Sequence, residues 1–351
     1  MRIAVLFSRL SGYTAACLRT LREMYDVELL VVRLPPAENA PFDDRHFDWI
    51  DRLYDRDEMS VEDMRHLIGD FSPDVILLAG WFDRGYLRVA RSMRDKGVPV
   101  VSGCDSQWRG IWKQQVARLI SPWYLHSAID VLWAAGERQR QLAHRLGYTG
   151  DRCWTGYYTC NWPEFARVHE KDAPETASAF LFVGKYSSEK GIDVLVEAYR
   201  QYRRHHSSPW KLVCAGTGDL WPMLSDEPGV EDRGFVQPDR LPGVLRDTTA
   251  FVLPSRREPW GVVLQEAAAA GMPLICSDEC GAGVHLVQDG YNGYTFETTN
   301  PVHLARCMSR LSEKKEEDLA AMGDRSHQLS KQYTPTRWAR TLVRGIVRIT
   351  P

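Results

Sequence analysis

The sequence predicts an α/β fold of two doubly wound parallel sheets, and three observations predict it. Short runs rich in Val, Ile and Leu alternate with helical patterns, as buried parallel strands joined by crossover helices do. The alternation stops once, around Cys160 to Thr176, and then restarts. With 351 residues, 44% hydrophobic and 26% charged, the chain is large enough for two cores and excludes disorder as its main state.

In chain order, the first strands are expected at Ile3 to Phe7, Val27 to Val32, Val75 to Ala79, Val98 to Val101 and Val131 to Ala134. Helices such as Thr14 to Met24 and Arg84 to Arg94 lie between them. The polar stretch NWPEFARVHEKDAPET, with Pro163 and Pro174, reads as an interdomain linker. Strands resume at Ala179 to Val183, Lys211 to Ala215, Val230 to Phe235, Ala250 to Leu253 and Pro273 to Cys276, with helices starting near Glu189, Asp239, Val262 and Val302. After Pro335, the residues Trp338, Leu342, Ile346 and Val347 recur at helical spacing. The expected division is residues 1–165, residues 166–334, and a C-terminal helix 335–351 whose docking surface the pattern leaves open. Two such domains facing each other leave a cleft at the carboxyl ends of their strands, so functional residues are expected on post-strand loops.

Composition narrows the function. Lys plus Arg total 44 against 46 for Asp plus Glu, so the net charge of -2 gives no overall pull toward nucleic acid or acidic lipid. The longest apolar stretch, Val262 to Cys276, is broken by Gln265 and Glu266, too short and too polar to span a bilayer. Only Ile3 to Phe7 follow Arg2 before Ser8 and Arg9, too few for a secretory signal, and a cytoplasmic location is expected. The eight cysteines have no C-x-x-C spacing and are expected reduced and mostly buried, with neither disulfides nor a metal site.

Three segments carry the chemistry. PSRREPWGVVLQEAAAAGMP, residues 254–273, follows a strand and opens a helix, with Glu258 on the loop and Glu266 about one and a half turns into the helix. Free amides at Gly261, Val262 and Val263 favour a phosphate, and a carboxylate such as Glu266 suits a vicinal diol; together they describe a nucleotide. The plain alternative is a partly exposed glutamate on a close-packed helix. FVGKYSSEKG, residues 182–191, places Lys185 and Lys190 around a turn after Gly184. Such cations can neutralise a departing diphosphate without a metal, or can belong to a solvated loop whose Ser187 or Ser188 caps the next helix. CAGTGD, residues 214–219, holds Gly216 and Gly218 either in a tight turn beside a bound base or in a plain strand-to-helix turn, and G-x-G-x-x-G is absent from the chain.

The order GKYSSEKG, AGTGD, GFV, EPWGVVLQEAAAAGMP, GYNGYTF resembles the donor half of the retaining glycosyltransferases of family four, over roughly residues 180 to 297. That resemblance implies the GT-B fold, two Rossmann-like domains facing across a cleft. It implies that Glu266 is the second glutamate of E-x7-E, holding ribose hydroxyls, that Glu258 is the first, lying against the donor sugar, and that Lys190 is the lysine at the diphosphate. Lys185 stands where an arginine is usual, keeping the charge but losing the bidentate fork. Val262, Val263 and Leu264 match positions facing the phosphates and sugar, and Phe235 with Val236 match the strand end beside the base.

The N-terminal half departs further. In SRLSGY, residues 8–13, Gly12 alone remains of a Gly-Gly loop, and VSGCDSQWRG, residues 101–110, lacks the histidine common in the family. Asp105 either takes over its polar role or caps the helix through Trp112 and Val116. Trp108 and Arg109, with Trp112 and Lys113, suit an acceptor sugar or phosphate, or else are buried tryptophans with snorkelling basic neighbours; Trp81 and Asp83 follow another strand. Arg84, Arg88, Arg91 and Arg94 form one basic stripe that suits either anionic lipid at the inner face of a membrane or water. Asp55-Arg56-Asp57 has the D-x-D form but lies in a polar stretch and reads as surface, and His205 and His206 read as solvated.

The resulting expectation is a metal-independent, cofactor-free transferase. It moves a sugar with retention from a nucleotide-diphosphate donor to a hydroxyl of a glycan or lipid-linked acceptor, and nucleic acid is not a partner. Its rivals are a sugar-nucleotide-binding partner protein without catalysis, a nucleotide-sugar epimerase, and a phosphorylase using a pyridoxal cofactor.

Overall fold

A computed structural model describes residues 1–35, 47–170 and 178–349. The chain runs β1 (Arg2–Leu6), α1 (Gly12–Tyr25), β2 (Glu28–Arg33), β3 (Arg52–Asp55), α2 (Val61–Phe71), β4 (Val75–Leu78), α3 (Arg84–Arg94), β5 (Val100–Cys104), α4 (Trp112–Tyr124), β6 (Val131–Ala134), α5 (Glu137–Arg145) and β7 (Cys153–Thr155). Then come α6 (Trp162–Glu170), β8 (Ala179–Val183), α7 (Ile192–His205), β9 (Lys211–Ala215), β10 (Val230–Asp232), α8 (Leu241–Arg246), β11 (Ala250–Leu253) and α9 (Val262–Ala269). The last elements are β12 (Leu274–Ser277), α10 (Gly283–Leu286), β13 (Gly293–Phe296), α11 (Pro301–Ser312), α12 (Glu316–Ser330) and α13 (Pro335–Ile349). They form two units: Met1–Thr159 with the segment from Pro335, and Cys160–Thr334.

The first unit holds an all-parallel sheet in the order β3-β2-β1-β4-β5-β6-β7. Apart from Arg2 at the start of β1, its central strands β1, β4 and β6 are buried, because helices cover both faces and water reaches neither set of alternating side chains. Ala4, Leu6, Val32, Ile76 and Leu78 point to one face with Met64 and Ile68 of α2 and Val89 and Met93 of α3. Ile3, Val5, Val31 and Leu77 point to the other with Leu18 and Leu21 of α1.

That second face also receives α13. Trp338 stacks on Trp133 with ring centroids 4.9 Å apart, and its indole N–H donates to the Tyr157 carbonyl at 2.8 Å. Gly345 lies so close that an added Cβ would come 2.3 Å from the Trp154 ring. The C-terminal helix is therefore a structural part of the first unit.

The second unit repeats the architecture, with strands in the order β10-β9-β8-β11-β12-β13, all parallel. Both sheets reverse direction around their first strand, the doubly wound order. The segment expected to be linker contains α6, whose Phe165 and Ala166 are buried and which packs on α8 and α9. Pro163 sits in its first turn, where a missing N–H costs nothing. Residues 171–177 of the same stretch lie outside the described residues.

Several local expectations are corrected. Asp55 does end a strand, the edge strand β3, and it pairs with Arg33 at 3.2 Å while Arg56 pairs with Asp83 at 3.2 Å. His206 is packed on Tyr202 and bonded to Ser309 Oγ at 2.8 Å, so it is not solvated. Ile111, not Asp105, occupies the N-cap of α4. Trp112 is 71% exposed rather than buried. Trp108 is half-buried, with the Arg145 guanidinium 4.6 Å from its ring. The arginine stripe of α3 is divided: Arg91 bonds Ser127 and the Tyr124 carbonyl, Arg94 pairs with Asp130, and Arg84 and Arg88 remain exposed. All eight cysteines are free thiols. Among the described residues no helix is long and apolar enough to cross a membrane.

Candidate active site

In the second unit the chemistry-bearing residues converge at the carboxyl ends of β8, β9 and β11. Parallel strands aligned in register bring their exit loops to one edge, so loops distant in sequence meet there. The β8 and β9 exits continue side by side, with Gly184 N–H donating to the Ala215 carbonyl at 3.0 Å and Tyr186 N–H to that of Thr217 at 2.8 Å. This close approach requires Gly216, since a Cβ there would come 1.9 Å from the Gly184 carbonyl oxygen.

The centre is an ion pair. Lys190 Nζ lies 2.6 Å from Glu258 Oε2, and Ser255 Oγ donates to the same oxygen at 3.1 Å. The Glu258 side chain is 8% exposed and that of Lys190 29%, so the carboxylate is buried and the ammonium keeps an open side. An ammonium has three N–H donors, and Glu258 is the only described protein partner of this one. The Glu258 loop is held in turn: its carbonyl accepts from Gly281 N–H at 3.0 Å, Trp260 accepts from Ala282 N–H at 2.8 Å, and Ser277 Oγ donates to the Ser255 carbonyl at 2.6 Å.

Arg256 was not singled out in the sequence, yet it ties the two loops together. Its Nη2 meets Asp193 Oδ2 at 2.6 Å and its Nη1 reaches Ser188 Oγ at 2.9 Å. Its backbone N–H donates to the Glu189 carbonyl at 2.9 Å. The guanidinium holds the Asp193 carboxyl below its ordinary pKa. The start of α7 is capped by Gly191 in the left-handed region, φ 74°, with no side-chain cap; Ser187 and Ser188 do not take that place. A Cβ on Gly191 would fall 2.1 Å from the Pro254 carbonyl oxygen.

Helix α9 begins beside the pair. Its N-cap is Gly261 at φ 95°, with no side-chain cap and no acidic residue in the first turn, so the positive end of the helix is not neutralised from within its own first turn. Leu264 is buried, and Val262 and Val263 are half-buried. Glu266 lies further along the helix and is half-buried; desolvation, with the Glu164 carboxylate of α6 nearby, pushes its pKa up to about 8.

This shift has a measurable consequence. Between about pH 4.5 and about 8 the native state keeps a proton on Glu266 that the unfolded chain has released, so stability contributed by the protonated form is lost as pH rises through that window. Glu266→Gln is expected to flatten the pH dependence and to melt above the parent at about pH 9, by an amount of order 1 kcal/mol after solvent screening. Urea titrations at several pH values check this; equal slopes for both proteins would refute it.

The remaining expected residues are placed as follows. Lys185 is exposed and has no ion-pair partner among the described residues. Phe235 and Val236 are half-buried and lie beyond the end of β10, which stops at Asp232 rather than at Phe235.

In the first unit, Gly12 is the first residue of α1, and the Ser11 side chain bonds Thr14 Oγ1 at 3.1 Å instead of capping the helix. Asp105 follows β5 and accepts from Tyr158 Oη at 3.2 Å, while Tyr13 packs edge-on against Tyr158 at 5.5 Å. Burial raises the pKa of both phenols, so they remain protonated donors. Trp108 and Arg109 lie on the loop before α4, where Gln114 accepts from Arg109 N–H at 2.7 Å. The tyrosines beside Asp105 were missed because they come from β1 and β7 exits far apart in sequence. Among the described residues no group of three or more His, Cys, Asp or Glu is arranged to hold a metal.

Residues 166–328 match the family model described as glycosyl transferases group 1. An uncharacterized glycosyltransferase of Methanocaldococcus jannaschii is 30% identical over 172 residues, covering 47% of this chain and 43% of that protein. The chain thus spans less than half of that relative's length. Among solved structures, Anabaena HepE in complex with UDP superposes with a TM-score of 0.76 at 14% identity, covering 99% of this chain and 100% of HepE. HepE has also been solved with UDP-glucose. A glycosyltransferase of Rickettsia africae gives a TM-score of 0.77 at 12% identity, covering 99% and 98%. The chain therefore has two parallel-sheet Rossmann-like domains of the kind found in GT-B glycosyltransferases, and its residues 166–328 match the group 1 glycosyl transferase family.

Proposed function

We propose that the protein transfers a sugar, with retention at the anomeric carbon, from a nucleotide-diphosphate donor to a hydroxyl of a glycan or lipid-linked acceptor. The observation that carries this reading is the Lys190–Glu258 pair set beside the uncapped amides of α9. Lys190 and Lys185 with the amides at Gly261 to Val263 supply positive charge to the diphosphate. The backbone of Leu264 faces the phosphates and sugar, Glu258 positions the sugar, and Glu266 anchors the ribose. Gly184 and Gly216 let the base and phosphates approach the backbone, and Phe235 with Val236 flank the base.

Reaction then breaks the bond from the anomeric carbon to the phosphate oxygen and forms one to the acceptor oxygen on the same face. The acceptor proton passes to the departing phosphate. Negative charge grows on the diphosphate, where fixed amides and ammonium groups stabilise it more strongly in the transition state than in the bound donor. The chemistry needs no metal in this reading, since lysines and helix amides supply the charge. In the first unit, Gly12 is the candidate for a donor phosphate, and Asp105, Trp108 and Arg109 are the candidates for the acceptor.

HepE, solved with UDP and with UDP-glucose on the same fold, makes UDP the first nucleotide to test. At a hundred times its dissociation constant the correct nucleotide stabilises by about 2.7 kcal/mol, raising Tm by roughly 5–10 °C. Thermal shift against UDP, GDP, ADP and dTDP should show one clear response; no response to any of them overturns the proposal. An acceptor screen with the responding donor, read by NMR at the anomeric centre, then separates transfer from epimerisation or binding alone.

A further inference from the structure

Helix α4 turns its apolar side away from the protein. Its sequence is WKQQVARLISPWY, and Ser121 is its one buried residue. At about 100° per residue, Trp112, Val116, Leu119, Ile120 and Trp123 fall on one stripe. They are 71%, 45%, 69%, 46% and 78% exposed. Ser121, half-buried Ala117 and half-buried Gln114 occupy the opposite side, where Ser121 Oγ donates to the Leu146 carbonyl at 2.7 Å. A crossover helix ordinarily presents its apolar stripe to the sheet; this one is inverted.

The charges around the stripe have one sign. Lys113 borders it, Arg118 lies farther round the helix, Arg109 precedes the helix, and no Asp or Glu occurs from Ser106 to Ile129. Arg91 of α3 fastens the end of α4 through the Tyr124 carbonyl, and Arg84 and Arg88, exposed and with no ion-pair partner among the described residues, stand on that same neighbouring helix. Tryptophans stand near both ends of the stripe, about 16 Å apart along the axis.

We propose that this face of α4 docks the protein on an anionic lipid bilayer. The helix lies in the plane of the interface, with its apolar stripe at the top of the acyl chains and Lys113 at headgroup level. A large apolar face, a basic flank and interfacial tryptophans are what such a surface selects. The net charge of -2 is no obstacle, because attraction to the headgroups acts over a Debye length and is set by the local patch. Two copies meeting through this face would oppose like charges, which disfavours self-association.

Sedimentation with vesicles tests the inference without turnover. The parent protein should pellet with vesicles of phosphatidylcholine and phosphatidylglycerol, and weakly with phosphatidylcholine alone. Leu119→Ser with Trp123→Ser should lower partitioning by about tenfold or more. Lys113→Gln should lower it by about fivefold on the anionic vesicles alone. Both variants alter exposed side chains, so their Tm and UDP-induced shift should equal the parent's. A parent that stays in the supernatant with both vesicles overturns the inference, as do folded variants that partition like the parent. A parent dimer that the double variant dissolves also overturns it. Vesicle binding without any nucleotide response would leave this surface standing and remove the transferase reading.

Discussion

Lys190→Met is expected to cut donor turnover by about 10²- to 10³-fold and to destabilise the second unit by about 2 kcal/mol. The stability loss arises because Glu258, with its side chain 8% exposed, keeps a buried carboxylate after the ammonium 2.6 Å away is gone. Its size lies between that of a buried and an exposed pair, since Lys190 is 29% exposed. The activity loss has a separate origin, the missing charge at the diphosphate. Adding Glu258→Gln separates the two. The double variant should recover most of the lost stability, because the stranded charge is removed, while turnover stays low. Urea melts and initial rates of donor consumption measure both. Restored turnover in the double variant would show that Lys190 serves Glu258 and not the leaving group.

Gly191→Ala should be more disruptive than its single methyl suggests. The position has φ 74°, where an L-residue pays about 1 kcal/mol, and the new Cβ would sit 2.1 Å from the Pro254 carbonyl oxygen. Backbone oxygen has no rotamer by which to retreat, so the β8–α7 loop must move away from the Glu258 loop. That motion pulls against the Arg256–Asp193 pair and shifts Lys190, which precedes Gly191 directly. A stability loss above about 3 kcal/mol is expected. Nucleotide-induced thermal stabilisation should be lost at concentrations that saturate the parent. Melting curves with and without UDP decide it, and an unchanged UDP shift would show that the loops do not form one site.

The parts of this fold legible in the sequence are those buried on both sides. β1, β4, β8, β11 and β12 appear as unbroken apolar runs because helices cover both faces of each sheet. β3 and β7, at sheet edges, are short and partly exposed, so their residues carry no such run, and the edge strand β10 was expected but ends three residues early, at Asp232. Helix α6 was hidden by Pro163 and by polar residues on its outer side. At the candidate site, the resemblance named Glu258, Lys190 and Glu266 one by one. No spacing rule announces that Lys190 pairs with Glu258 across 68 residues, or that Arg256 pairs with Asp193 across 63. Those partnerships depend on strand order, which places the β8 and β11 exits side by side. The inversion of α4 was equally hidden, since a helical stripe of apolar residues looks the same whether it faces a core or solvent.

The place of α13 sets a condition on biogenesis. Trp338 and Leu342 complete the packing beneath β1 and β6, yet a ribosome delivers them only after the entire second unit has emerged. During translation the first sheet must wait with the Trp338 side of Trp133 uncovered, although Trp154 and Tyr157 already pack against it, while the second unit is contiguous in the chain. The polypeptide that is made first is thus finished last, and a nascent chain released early would carry a greasy wound on the sheet opposite α3.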